Sequence, residues 1–224
     1  MDIHPDEGCV VQATATLVQG IFGLGGEVKG ELVMGVDKPT DVLKAKHLRA
    51  DMAGKIVVGG AYLTLEAFKK AIHLKIGGLV TGGFDYDDIK EILGYEVGVA
   101  ITGSEELGLS LVVTEGFGEI QMAPATFALL KKHSSRRASI NGSTQIRAGV
   151  IRPEVVVTDD STEAPKTRWE PPEPKGIELG DQVRGIRAPY FGQIGHVKGL
   201  PVELATLESE TKVRIMEVQF ENGD

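Results

Sequence analysis

Thiol chemistry is nearly absent: Cys9 is the one cysteine in 224 residues, which excludes an intrachain disulfide framework and any multi-cysteine metal site. A reducing, intracellular setting fits that usage. Aromatics are scarce too, with one Trp, four Tyr and seven Phe, so the chain has few large anchors. No apolar run approaches the ~18 residues of a membrane span. The opening Met1-Asp2-Ile3-His4-Pro5-Asp6-Glu7 is acidic where a secretory signal is basic and then apolar. The expectation is a cytoplasmic protein with no membrane partner. Basic charge is also short, 24 Lys and Arg against 32 Asp and Glu for a net charge of −8, a poor balance for a general polyanion binder.

Named catalytic and phosphate motifs are missing. Gly23-Leu24-Gly25 is followed by Val28 where a dinucleotide fingerprint needs glycine, and Gly25 and Gly30 have Walker spacing but Glu31 replaces the lysine. There is no His-Glu-x-x-His, no Gly-x-Ser-x-Gly and no legible Ser/His/Asp or Cys/His arrangement. The five histidines are dispersed. Neither a metal nor a cofactor is expected, and catalysis has no support beyond one pair, Glu115 and Glu119, which flank the flexible Gly116-Phe117-Gly118 and could serve as acid and base if they converge.

Glycine is in excess. Its 29 residues are nearly twice the usual ~7% share, and 20 of them fall in residues 1–119. Interleaved with short apolar runs, they punctuate strands and turns. Residues 1–54 read as a β-rich barrel or sandwich part, with strands over 10–18 and 27–36 and a short helix within 39–53 capped by Asp41. Residues 55–158 read as an α/β domain with a mostly parallel sheet. In it, strands at 56–58, 79–81, 97–101 and 109–113 alternate with helices over 65–75, 86–93 and 124–132. Thr64 and Asp85 are the N-caps, Gly77 and Gly94 the stops, and Pro124 the N1 proline. A last strand over 150–157 contains Pro153, which suits a sheet edge. Residues 159–175 hold four prolines within ten positions among acids, a semi-rigid linker, and 176–224 form a small β-rich tail.

Two places in the body could take a small ligand. Gly59, Gly60, Gly82, Gly83, Gly103 and Gly116 follow successive strands, and in one parallel sheet they would line the carboxyl edge where such sheets bind ligands. The competing explanation is that they only terminate strands. Residues 120–153 carry six basic side chains and no acid. There Arg136, Arg137, Arg147 and Arg152 surround the polar run that contains Asn141-Gly142-Ser143, a composition suited to holding phosphate or carboxylate on arginine forks and free backbone N–H groups. The plainer alternative is a hairpin whose arginines pair with surface acids.

In the tail, Gly180-Asp181-Gln182-Val183 leads to Pro189-Tyr190-Phe191-Gly192-Gln193-Ile194-Gly195-His196-Val197. This stretch resembles the KOW motif of the transcription elongation factor NusG and of several ribosomal proteins. The resemblance covers residues 180–220 and implies a small SH3-like β-barrel that binds RNA or other proteins. Ala188 stands where the family often has glycine and Phe191 where many members are basic. Residues 175–224 hold six basic and eight acidic groups, which favours protein or intramolecular contact over RNA. Tyr190 and Phe191 would be the anchors with Arg184 and Arg187 beside them, unless both aromatics fill the barrel's own core. The turn signal Phe220-Glu221-Asn222-Gly223-Asp224 has no strand after it, so the expectation is that either the native protein continues or another chain supplies the returning strand. No family resemblance is legible in residues 1–158.

The expected whole is a non-enzymatic binding or assembly protein whose partner is a protein, its own chain in a homo-oligomer included. An enzyme or sensor whose body binds a small anionic ligand is the second reading and RNA bound by the tail the third.

Overall fold

The computed structural model describes the chain except for residues 1, 5–7, 11–13, 95–101, 104, 146–148, 159–175, 187–188, 207–209 and 221–224. The linker and the strand expected at 97–101 lie outside the described residues. The fold is mixed α/β, with mostly strands and three helices. It divides into two compact units, Met1–Arg168 and Trp169–Asp224.

Strands β1 (Asp2–His4) and β2 (Gly8–Val10) form a small antiparallel ribbon. They are followed by β3 (Ala15–Gln19), β4 (Phe22–Leu24), β5 (Glu27–Met34), β6 (Val42–Leu43), β7 (Ile56–Val58), β8 (Tyr62–Leu63), α1 (Leu65–His73), β9 (Gly78–Phe84), α2 (Tyr86–Leu93), β10 (Ser110–Phe117), α3 (Pro124–Lys132), β11 (Arg137–Asn141) and β12 (Glu154–Thr158). The main sheet runs β3-β12-β11-β5-β7-β9-β10-β4, with β6 and β8 attached beside β9. Strands β5, β7, β9 and β10 are mutually parallel. The β5–β11, β11–β12, β12–β3 and β10–β4 pairs are antiparallel. Strands β3 to β6 thus share one sheet with the α/β segment, and that sheet is mixed, parallel from β5 to β10 and antiparallel on both flanks.

Its two ends meet. β3 and β4 are halves of one bent strand: at the bend Gly20 N donates to Pro153 O at 2.7 Å and Ile21 N donates to Val113 O at 2.8 Å. One half therefore bonds beside β12 and the other beside β10, closing the sheet and hiding its edges. Pro153 precedes β12, which lies between β3 and β11 rather than at an edge. A residue without an N–H is tolerated there because only its carbonyl is used.

Helix ends follow side-chain chemistry. Thr64 Oγ1 accepts from Ala67 N at 3.2 Å and Asp85 Oδ1 accepts from Asp87 N at 2.8 Å, each satisfying an orphan donor of the first turn. Helix α1 stops at His73, two residues short of the sequence expectation, because Lys75 takes a φ of 56°. Ile72 is 37% exposed rather than packed, whereas Ala67, Phe68 and Ala71 are buried and the Phe68 ring lies 5.7 Å from Phe84. The helix expected within 39–53 is replaced by β6 and two 3₁₀ turns, Ala45–His47 and Ala50–Met52. Asp41 caps no helix: its carboxylate accepts from Lys38 N at 2.9 Å and Asp37 N at 3.3 Å.

In the second unit, β13 (Gln182–Arg184), β14 (Ile194–Gly199) and β17 (Glu217–Phe220) form an antiparallel sheet, and β15 (Ala205–Thr206) pairs with β16 (Lys212–Val213).

Candidate functional site

The parallel register brings most of the strand-end glycines together. Gly83 pairs with Gly116 across β9 and β10, Gly59 N donates to Val80 O and Gly82 N to Gly60 O, both at 2.7 Å. Yet Gly82, Gly83 and Gly116 lie inside their strands rather than after them. The space before them is filled by the chain itself: Gly118 N donates to Phe84 O at 3.0 Å and Ile120 N to Ala61 O at 3.1 Å. A Cβ on Gly82 would collide with Ile120 O and one on Gly83 with Gly118 O. At Gly82 and Gly83 the missing side chain allows backbone to pack on backbone. Gly103 sits elsewhere, against Ser143 and near Gly26.

The polar run after β11 is equally committed. Ser143 N donates to Asn141 Oδ1 at 3.0 Å, Thr144 N to Thr102 Oγ1 at 2.9 Å, Gln145 N to Ile151 O at 2.9 Å and Gly142 N to Gly26 O at 3.4 Å. With those N–H groups used internally, the run is a seam rather than an anion nest. Gly23 N donates to Thr144 Oγ1 and Thr102 Oγ1 donates to Gly23 O, both at 2.9 Å, so two buried threonines stitch three distant segments. Arg136, Arg137 and Arg152 are exposed, Arg137 opposite Glu31. Arg147 lies outside the described residues.

Glu115 and Glu119 have separate partners. Glu115 Oε1 accepts from Ala123 N at 2.9 Å, at the start of α3, while Glu119 acts electrostatically on Tyr62. Tyr62 donates to Asp88 Oδ2 at 3.4 Å. Burial first, then the charges of Asp88 and Asp85, push its phenol up to about 12. Burial and Asp85 also raise Asp88 above the usual carboxylate range. This pairing crosses from β8 to α2.

A cleft of about 440 Å³ opens beyond the end of β5, lined among others by Asp37, Thr40, Asp41, Lys44, Lys46 and His47. It comes from local topology. The chain after β5 keeps its bond to the parallel side, Gly35 N to Val58 O at 2.8 Å, whereas on the other side the last bonds of β5 are Leu32 N to Arg136 O and Ser135 N to Leu32 O. Past Leu32, no strand among the described residues lies beside that flank. Of these residues the sequence singles out Asp41 alone, as a helix cap; the others belong to no motif and are gathered only by the turn at 37–41 and the 3₁₀ turn after it.

In the tail, Tyr190 stacks on Phe220, centroids 4.6 Å apart and planes 9° from parallel. Phe191 is half-buried and Arg184 exposed; Arg187 lies outside the described residues. Val197 is the one buried hydrophobic side chain described in this unit, while Ile177, Leu179, Ile186, Val202, Leu204 and Ile215 are exposed.

Among the described residues, no three His, Cys, Asp or Glu side chains are placed to hold a metal ion, and no helix is long and apolar enough to cross a membrane. No protein-family model matches the chain, and no curated protein or solved structure matches it significantly.

Proposed function

We propose that the protein is a non-enzymatic binding or assembly factor in which residues 176–224 form a KOW-like, SH3-like barrel that docks on another protein. The observation that carries this reading is the apolar surface of that unit. It has one described buried hydrophobic side chain, yet nine of the sixteen large exposed hydrophobics described in the whole chain. Apolar surface gathered in so small a unit is the mark of an interaction site. The charge balance of the segment, six basic against eight acidic groups, favours a protein partner over RNA. Tyr190, held by its stack on Phe220, is a rigid anchor that keeps part of its ring in solvent.

The test compares the full chain with residues 1–158 as baits in pull-downs from cells, with circular dichroism to confirm that the shortened bait is folded. At least one protein partner should be captured by the full chain and lost with the shortened one. Identical partners for both baits, or association of the full chain with nucleic acid alone, would refute the reading.

A further inference from the structure

The cleft at the end of β5 has a lining chemistry that packing does not require. Lys44 and Lys46 are exposed, and neither is in an ion pair with a carboxylate among the described residues. His47 Nδ1 accepts from Lys44 N at 3.0 Å, so the neutral ring carries its proton on Nε2 and has a donor left over. Thr40 adds a hydroxyl. Two carboxylates share the lining, and they differ in availability: Asp41 is used by the N–H groups of Asp37 and Lys38, whereas Asp37 is exposed. Lys131, reaching from α3 to Asp37 O at 3.3 Å, braces the turn and adds positive charge beside it.

Position supports a ligand role as well. The cleft lies past the carboxyl end of a parallel strand, at the seam where the sheet changes from parallel to antiparallel pairing at β5. Strand order that changes at such an edge leaves a crevice, and ligands of α/β sheets bind there. Its volume is in the range of sites for small molecules. Cations and a ring N–H suit a phosphate or carboxylate, and a free carboxylate suits hydroxyl donors.

We propose that the cleft formed by Asp37, Thr40, Lys44, Lys46 and His47 binds a small polyhydroxylated anion. Lys44 and Lys46 hold the anionic group, and Asp37 accepts from the hydroxyls. The residues of this site all belong to the first unit, and the proposal does not rest on the docking function.

The test is an NMR titration of the ¹⁵N-labelled full chain at constant ionic strength with glucose 6-phosphate, gluconate and glucose in separate arms. Saturable shifts at the Lys44–His47 amides are expected with at least one of the two anions and not with glucose, and the arm that responds identifies phosphate or carboxylate. The Lys44→Ala/Lys46→Ala variant should weaken that binding at least tenfold, and so should Lys44→Gln/Lys46→Gln, which keeps much of each side chain's apolar stem. Lys29→Ala, on an exposed lysine outside the cleft, should leave it unchanged. No shift at these amides with either anion, equal shifts with glucose, or unaltered affinity in both double variants would overturn the proposal.

Discussion

Strands of the two units differ in what they bury. Every residue of β9 is buried, as is each of β7, because the closed sheet and its helices cover both faces. In the tail, β13 and β17 alternate between exposed and half-buried positions, and only Gly195 and Val197 of β14 are buried. Sheet closure gives the first unit a continuous core. The second has small antiparallel pieces whose apolar side chains find few partners within the unit. Burial of apolar area supplies most of the favourable free energy of folding, so stability should reside in the first unit and the capacity for new contacts in the second.

The strongest way to probe that contrast is to cut into the core. Phe84→Ala removes a fully buried ring that packs on Phe68 and should cost about 3–5 kcal/mol, read as a lowered midpoint in urea unfolding. Next, Gly83→Ala places a methyl against Gly118 O. Overpacking of this kind should cost about 1–3 kcal/mol, and a neutral result would mean that the 118–122 segment is not seated on β9.

A smaller effect is expected in the tail. Tyr190→Ala loses the stack on Phe220, worth about 0.5–1.5 kcal/mol beyond area, and should leave the melting of the first unit untouched. If it lowers that transition, the two units are not energetically separate.

The smallest effect concerns alkaline pH. Tyr62 ionises at about 12 in the folded chain against 10.0 unperturbed. Between these values the unfolded chain holds fewer protons than the folded one, so stability falls as pH rises through that window. Tyr62→Phe should flatten the slope and remove a phenol that titrates near pH 12 from an ultraviolet titration.

What was legible beforehand follows the range of each interaction. Helices α2 and α3 match their sequence readings because their signals are local: Asp85 and Gly94 bound one, and Pro124 begins the other. The glycines were harder, since a glycine that ends a strand and one that admits a neighbouring backbone leave the same mark in a sequence. Gly82 and Gly83 proved to be the second kind, and only the pairing of β9 with β10 and the return of the chain at 118–122 reveal it. Arg137 and Asn141 suggested an anion loop, but the groups that consume its N–H donors, Thr102 and Gly26, are distant in sequence. The cleft stayed hidden for a related reason, as it depends on where β11 begins alongside β5.

Amide hydrogen exchange of the 224-residue chain tests the central contrast most directly, since it reads both units in one sample. Amides of β9 and β10 should exchange only through global unfolding, while those of β13, β14 and β17 exchange through far less costly local openings. Equal protection in the two sets would contradict the account.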